Sequence, residues 1–238
     1  ILNTVDSTNN YAMAKLHEGM AKHGMAWFAR QQTGGRGQRG NSWQSRPNEN
    51  IALSMVTMLP GLAVHSQFEL SVCVALGVND FLSLLQLPDI LIKWPNDIFI
   101  NDRKAGGILI ENQIQGSHIS ASIIGIGLNI NQTLFDSSLA KAISLKQITG
   151  KNYDIIQLAR DLHVSVLKRV NQVKQNKKSS LAEYNRALYK KDEKVKFKKG
   201  NIAFEAVVKS ISADGRLILQ HGDHEEAYPF GELIWVLP

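Results

Sequence analysis

Two arginines lie within a glycine-rich stretch near the start of the chain, where residues 34–40 have the sequence GGRGQRG. Glycine lets the backbone approach a ligand closely. Arg36 and Arg39 carry permanently charged planar groups that fit a phosphate or a carboxylate. Asn41, Ser42 and Trp43 continue the stretch. This composition predicts a loop that closes over an anionic ligand.

The same stretch matches the GxGxxG spacing of dinucleotide-binding loops through Gly35, Gly37 and Gly40. That motif requires a helix after the last glycine and an acidic residue about 20 positions further on. Here turn-forming residues 47–50 and a strand-like segment 51–56 follow, and residues 58–64 contain no acidic side chain. A Walker loop is also excluded, because no Gly-Lys-Ser/Thr follows. The arginines therefore indicate anion binding outside a Rossmann or P-loop site.

A second group of charges interrupts an apolar segment at Lys93 and Asp97, which flank the residues Trp-Pro-Asn. Buried charges must be paired or must bind something. A turn predicted at residues 101–102 returns the chain, so Lys104 should come close to Lys93 and Asp97. The alternative is an exposed hairpin with an isolated ion pair, which would contribute little.

Hydrophobic periodicity predicts the elements that must position these groups. Strands are expected at residues 25–30, 51–58, 90–100 with an interruption at the Pro-Asn-Asp sequence, 103–111 and 120–131. Helices are expected at residues 11–16, 66–85, 154–172 and 181–189, with a polar break at 176–180. The helix at 66–85 is apolar on nearly all sides, so we expect it to be buried.

The residue pattern changes at about residue 192, after which short strand-like segments alternate with turn-forming residues. Strands are predicted at residues 195–197, 202–208, 217–219 and 234–236, which is typical of a small β-barrel. Much of the net charge of +6 is concentrated here, in Lys190, Lys191, Lys194, Lys196, Lys198 and Lys199. This cluster is interpreted as a docking face for an acidic partner, as a nucleic-acid site or as a solvated surface.

Length and composition limit the remaining possibilities. A chain of 238 residues predicts one large domain, or one domain with a small appendage. The single cysteine, Cys73, excludes internal disulfides and suits a reducing compartment. No signal peptide and no apolar span of membrane length is evident, so we expect a cytoplasmic protein without a membrane partner. The seven histidines form no ligand pattern, so no metal site built from protein side chains alone is expected.

Five stretches together resemble the biotin protein ligases, and the resemblance covers the whole chain. They are Asp6-Ser7-Thr8-Asn9, residues 35–43, residues 93–97, residues 103–111 and residues 125–131. The arginine-glycine loop and the Lys-Trp-Pro-Asn-Asp motif are the most specific of these. The resemblance implies an α/β (α+β) catalytic domain related to class II aminoacyl-tRNA synthetases at residues 1–189. It implies an SH3-like β-barrel at residues 190–238.

The resemblance also implies a reaction in two steps. Biotin and ATP, with Mg²⁺, form biotinyl-5'-AMP and pyrophosphate, and biotin is then transferred to a lysine of a biotin carboxyl carrier protein. Two anions meet in the first step, so pre-placed cations such as Lys104 and the loop arginines would stabilise developing charge. A lysine amine is mostly protonated at neutral pH, so Asp97 is the candidate for orienting or deprotonating the acceptor.

Site residues are assigned by their positions in the matching motifs. The catalytic candidates are Lys104, Arg36, Arg39, Asp97 and Lys93. The biotin-binding candidates are Ser7, Thr8, Asn9, Gln32, Gly35, Arg36, Gly37, Gln38, Trp43, Lys104, Gly106, Gly107, Gly125 and Gly127. The candidates for binding ATP or the adenylate are Arg36, Arg39, Asn41, Trp43, Lys93, Asn96, Asp97, Lys104, Asn129 and Asn131.

Two departures from the family pattern lead to further expectations. Some members carry an arginine, which helps to retain the adenylate, where this chain has Gln38. Retention is therefore expected either to shift to Arg36 and Arg39 or to be looser. Bifunctional members also carry an N-terminal DNA-binding domain, and the lack of room for one before Asp6 implies a monofunctional ligase with no DNA partner. Whether the protein forms a homodimer is left open.

Two alternative functions remain at this stage. A lipoate or octanoate ligase or transferase has the related fold and similar Lys-Trp-Pro-Asn-Asp and Lys-x-Gly-Gly stretches, although the arginine-glycine loop favours biotin. The second alternative is not an enzyme but a biotin-responsive or nucleic-acid-binding regulator. Such a regulator predicts salt-dependent DNA affinity and no consumption of ATP.

Overall fold

The computed structural model describes residues 1–175 and 177–237, so Asn176 and Pro238 lie outside the described residues. The fold is mixed α/β, as predicted, with two separate sheets. Within the described ranges, the strands of the larger sheet are β1 (Leu2–Val5), β2 (Ala26–Gln32), β3 (Ile51–Thr57), β4 (Leu62–Ala63), β5 (Ile90–Lys93), β6 (Asp97–Ile100), β7 (Arg103–Gln115) and β8 (His118–Leu128).

The larger sheet has the order β1-β2-β3-β8-β7-β6-β5, and β4 pairs separately with β8. Neighbouring strands are antiparallel except for β1 and β2. β5 and β6 are separated at residues 94–96, where the sequence predicted an interruption, and β6 returns into β7 through the turn at Asn101 and Asp102. The β5–β6 hairpin places Lys93 directly opposite Asp97.

The helices of the described chain are α1 (Thr8–His17), α2 (Gln67–Ser83), α3 (Leu145–Thr149), α4 (Ile155–Asn171) and α5 (Lys177–Arg186). Asp154 caps α4 by accepting hydrogen bonds from the amides of Ile156 and Gln157. α2 crosses α4 closely, because a Cβ atom on Gly77 would lie 2.7 Å from Val166 Cα. The close crossing explains why a buried helix contains a glycine despite its low helix propensity.

The prediction for the last helix is wrong in its bounds. α5 begins at Lys177 within the predicted polar break and ends at Arg186 rather than at residue 189. The chain leaves the helix because its backbone pairs with β5: the Ile92 amide donates to Ala187 O, and the Tyr189 amide donates to Ile92 O. Asn176, which belonged to the predicted break, lies outside the described residues.

The C-terminal sheet contains β9 (Lys194–Lys199), β10 (Ile202–Ile211), β11 (Leu217–His221), β12 (His224–Tyr228) and β13 (Ile234–Val236) among the described residues. The sheet is antiparallel with the order β12-β11-β10-β9-β13. β12 was not predicted from the sequence, because its exposed, charged side chains give no apolar pattern. In the part of the chain that is described, no pairing of β12 with β13 closes the predicted barrel, so the sheet is open.

Both sheets contribute to one continuous hydrophobic core. Trp94 from the larger sheet's hairpin and Phe197 from β9 are almost completely buried within it, and Cys73 of α2 is buried as its apolar context predicted. No helix of the described chain is long and apolar enough to cross a membrane. The continuous core fixes the C-terminal sheet beside the residues that the sequence selected for chemistry.

Candidate active site

A cavity of about 330 Å³ lies where the larger sheet, the arginine-glycine loop and the C-terminal sheet meet. Its volume is in the range of small-molecule sites. The site residues expected from the sequence that line it are Ser7, Thr8, Asn9, Gln32, Arg36, Gly37, Gln38, Arg39, Asn41, Trp43, Lys93, Asn96, Asp97, Lys104, Gly107 and Gly125. Most of the predicted site is therefore brought together in one place.

One end of the cavity is a network at the start of α1 that consists mostly of hydroxyl and amide groups. The Thr8 amide and hydroxyl donate to Gln32 Oε1 at 2.7 and 3.0 Å. Ser54 Oγ lies 2.7 Å from Thr8 Oγ1 and 2.6 Å from Asn9 Oδ1. The Asn9 amide group donates to Glu111 at 2.8 Å. Because Ser54, Thr8 and Asn9 are buried, this end suits a neutral ligand that offers matched donors and acceptors.

The glycines predicted to make room for a ligand do not all face the cavity. A Cβ atom on Gly125 would lie 2.3 Å from Asn9 Oδ1, so the missing side chain at Gly125 leaves room for Asn9. Gly127 lies against the Trp43 indole, and Gly106 lies against the side chain of Leu128. The structure therefore places Gly106 and Gly127 in packing contacts rather than in the cavity lining.

Gly35 also lies outside the cavity lining, and its backbone contacts the backbone of Trp43 across the loop. The Trp43 amide donates to Gly35 O at 2.9 Å, and a Cβ atom on Gly35 would lie 2.4 Å from Trp43 O. The indole nitrogen of Trp43 is buried and has no hydrogen-bond partner among the described residues. The close approach at Gly35 thus holds the Trp43 ring at the cavity.

The other end of the cavity is charged. Lys104 Nζ lies 2.6 Å from Asp97 Oδ1, and Lys93 Nζ lies 3.9 Å from Asp97 Oδ2. Burial lowers the pKa of Lys93, the negative charge of Asp97 opposes this shift, and the positive charge of Lys104 adds to it. The ammonium of Lys93 also lies 5.3 Å from the Trp235 ring centroid, within cation–π range. The predicted meeting of these three charges is confirmed, and it carries a net positive charge.

The arginines of the loop extend in different directions. Arg36 lies 2.5 Å from Glu111 Oε1 and 2.6 Å from Asn10 Oδ1. Arg39 extends to the C-terminal sheet and donates to Gly231 O at 2.9 Å. After Gly40 the chain continues to β3 without an α-helix, which confirms the exclusion of a Rossmann loop. Both arginines line the cavity while their guanidinium groups contact other protein groups.

The asparagines after β8 lie outside the cavity lining, where they join backbone segments. The Asn129 amide group donates to the carbonyls of Ile143 at 3.2 Å and Lys104 at 3.4 Å. The side chain of Asn131 donates to Tyr153 O and accepts from the Tyr153 amide. These bonds join the end of β8 to chain segments 14 to 25 positions away, so both side chains have structural partners in the folded chain.

Some residues of the site were missed by the sequence analysis. Ser54 was hidden inside an apolar strand, and Glu111 was part of a motif without an assigned role. Phe230 and Trp235 come from the C-terminal sheet and line the cavity. The sequence signal for Ser54 is that it is a polar residue within an apolar run. Nothing local in the sequence identifies Phe230 or Trp235 as site residues.

The described residues contain no group of three or more His, Cys, Asp or Glu side chains that could hold a metal ion. The carboxylate in the cavity lining, Asp97, faces two lysines. The described lining therefore offers no cluster of free carboxylates of the kind that holds a divalent cation.

A polar end and a cationic end in one cavity have the chemistry that suits a polar small molecule beside an anion. Residues 1–129 match the model of the Biotin/lipoate A/B protein ligase family. The chain belongs to this family, which confirms the resemblance seen in the sequence.

Curated relatives and solved structures agree with this assignment. A biotin–[acetyl-CoA-carboxylase] ligase of Paracoccus denitrificans is 40% identical over 133 residues, covering 55% of this chain and 53% of the relative. The bifunctional ligase/repressor BirA of Escherichia coli (strain K12) is 33% identical over 164 residues, covering 67% of this chain and 49% of the relative. The chain thus spans about half the length of these curated relatives.

The structural comparison extends over nearly the whole chain. A biotin protein ligase from Aquifex aeolicus in complex with biotin and ATP has a TM-score of 0.81 and 24% sequence identity, covering 99% of this chain and 97% of that chain. At this level of identity the similarity establishes the fold, including the position of the C-terminal sheet beside the larger one.

Proposed function

We propose that this protein activates biotin with ATP to form biotinyl-5'-AMP and transfers the biotin to a lysine of a carrier protein. The observation that carries the proposal is the division of one cavity into two ends. The network of hydroxyl and amide groups around Thr8 and Asn9 suits the uncharged ureido group of biotin. The group of Lys93, Asp97 and Lys104 at the other end suits the carboxylate and the α-phosphate that must meet.

The cations of the site would lower the repulsion between the two anions. Lys104 is more than one-third exposed at its side chain, so its ammonium can reach a ligand in the cavity while Asp97 holds its position. Arg36 and Arg39 line the same cavity, and an anionic ligand would compete with Glu111 for Arg36. Mg²⁺ would enter with the phosphates of ATP, because the described residues offer it no ligand cluster, and no step depends on it here.

In the transfer step we assign Asp97 an orienting role. A lysine ammonium and an aspartate differ by about six pKa units in their ordinary values, so a carboxylate is a weak base towards an ammonium. Both oxygens of Asp97 already face lysine ammonium groups. Its contribution would be to accept a hydrogen bond from the acceptor amine and to hold Lys104.

The carrier is the expected partner, and the C-terminal sheet offers a surface for it. Lys194, Lys196 and Lys198 alternate along β9 and are exposed, whereas Val195 and Phe197 between them are buried. β9 pairs with β13, and Ile234 of β13 is 61% exposed and also lines the cavity. A basic face that leads to the cavity mouth suits an acidic carrier surface.

Mass spectrometry of a carrier polypeptide tests the proposal directly. Purified protein is incubated with ATP, Mg²⁺ and a biotin-carboxylase carrier domain, together with biotin, lipoate or neither. We expect one biotinyl group on one carrier lysine, and we expect no product when Lys104→Met replaces the wild type. Lys151→Met, which changes an exposed lysine outside the cavity, is the matched control.

The other outcomes of this experiment select the alternatives. Modification with lipoate but not biotin would assign the protein to lipoate transfer, which the same family includes by name. If neither acid is transferred and ATP is not consumed, the proposal is wrong, and titration with DNA at several salt concentrations would test the regulator.

A further inference from the structure

Arg39 connects the arginine-glycine loop to a turn of the C-terminal sheet. Its Nη1 donates to Gly231 O at 2.9 Å, and its guanidinium carbon lies 5.6 Å from the centroid of the Phe230 ring. The Phe230 ring in turn meets Trp94 edge to face, with 5.9 Å between ring centroids. All four residues line the cavity, so this chain of contacts joins the loop to the C-terminal sheet along the cavity wall.

Arg39 and Gly231 both have backbone conformations that permit this contact. Arg39 has φ 55° and ψ 39°, a left-handed conformation that is unfavourable for a residue with a side chain. Such a conformation persists when the surrounding contacts hold it. Gly231 has φ +91°, and a Cβ atom there would lie 2.8 Å from the Arg39 guanidinium carbon. The turn at Gly231 therefore leaves just enough room for the arginine.

The loop depends on few other bonds. Inside it, the Gly37 amide donates to Asn41 O at 2.7 Å and the Asn41 amide donates to Gln38 O at 3.1 Å. Arg36 anchors the beginning of the loop to Glu111, and Arg39 anchors its middle to the C-terminal sheet. Without the second anchor, only backbone bonds within the loop, including the one from the Trp43 amide to Gly35 O, would hold the segment between Arg36 and Trp43.

We propose that the Phe230–Gly231 turn is a latch that holds the loop closed over the cavity through Arg39, and so sets how long a bound intermediate is retained. The identity of that intermediate, biotinyl-5'-AMP, rests on the proposed function, whereas the latch itself does not. Phe230 is a positioning residue in this scheme, because it acts through Arg39. When the latch opens, the adenylate leaves, and water cleaves its acyl–phosphate bond to give biotin and AMP.

The latch can be distinguished by mutation from a scheme in which Arg39 only contacts a phosphate of the ligand. In the latch, replacement of Phe230 and replacement of Arg39 affect the same loop, so the double variant is no worse than Arg39→Ala. In the other scheme, Phe230→Ala leaves the loop unchanged. Phe230→Tyr keeps an aromatic ring for the guanidinium and should restore wild-type behaviour.

Hydrogen exchange of the loop amides tests the latch without any substrate. We expect the amides of Gly37 and Asn41 to exchange about three- to tenfold faster in Phe230→Ala, as the loss of one cation–π contact and a weakened hydrogen bond implies. Ile202→Ala, which truncates a 70% exposed side chain in the same sheet, is the control and should not change these rates. Phe230 is itself 50% exposed, so its truncation should leave the fold intact. Unchanged exchange in Phe230→Ala would overturn the latch.

The release of radiolabelled adenylate from preloaded enzyme tests retention. We expect Phe230→Ala to release it faster by the factor seen in hydrogen exchange, and Phe230→Tyr to match the wild type. Faster loop exchange with unchanged release would overturn the link to retention. If the wild type forms no adenylate, the proposed function fails, and hydrogen exchange alone decides whether the latch exists.

Discussion

Asp97→Asn removes the charge that holds two lysines together, so it should destabilise the protein. Asp97 lies 2.6 Å from Lys104 and 3.9 Å from Lys93, and its side chain is 17% exposed. At 4 Å and an effective dielectric constant of about 20, two unit charges attract by about 4 kcal/mol. Removing one partner of a fully buried pair costs about 3–5 kcal/mol. Because Lys104 is partly solvated, we expect a loss of about 2 kcal/mol in the free energy of unfolding.

Chemical denaturation of a double-mutant cycle with Lys104→Met measures this interaction. A loss of about 2 kcal/mol corresponds to a decrease of about 4–8 °C in melting temperature for a domain of this size. The double variant should recover about 1–2 kcal/mol relative to the sum of the single changes. Asp102→Asn, which alters an exposed carboxylate in the same hairpin, should cost less than about 1 kcal/mol. Additive effects at positions 97 and 104 would refute the assigned ion pair.

Three further predictions follow from the described contacts. Gly125→Ala should displace Asn9, with 2.3 Å between the added Cβ and Oδ1, and calorimetry should show weaker biotin binding with ATP binding retained. Replacing Lys194, Lys196 and Lys198 by glutamate should raise the carrier KM about tenfold at low salt and leave ATP–pyrophosphate exchange unchanged. Burial raises the pKa of the Cys73 thiol to about 11, so Ellman's reagent should react at pH 8 only on unfolding. Because the thiol ionises more readily in the unfolded chain, its contribution to the free energy of unfolding should be complete below pH 9 and should be lost as the pH rises through 11.

Local features of the sequence predicted much of the site. The charged residues Lys93, Asp97 and Lys104 could be brought together from the sequence, because a short turn at residues 101–102 determines how adjacent strands pair. The loop was also predicted as irregular, since glycines and turn residues disfavour a helix after Gly40. In both cases the residues on which the prediction depends lie within about 15 positions of the site residues in the sequence.

Contacts between distant segments could not be predicted in this way. Arg39 and Gly231 are 192 positions apart, and neither residue carries a signal that identifies the other. The start of α5 was missed because lysines and serines at residues 177–180 resemble a loop, while Ser180 and Tyr184 are buried in the folded chain. Ser54 was missed because its apolar neighbours indicated only a buried strand. Tertiary packing decided each of these features.

In the proposed reaction this cavity joins biotin to the AMP part of ATP and releases pyrophosphate. Biotin-dependent exchange of pyrophosphate into ATP by the purified protein tests it most directly, with lipoate and no acid as parallel reactions. We expect exchange with biotin alone, and we expect Lys104→Met but not Lys151→Met to abolish it. Exchange with lipoate alone, or no exchange with either acid, would show that the protein does not activate biotin.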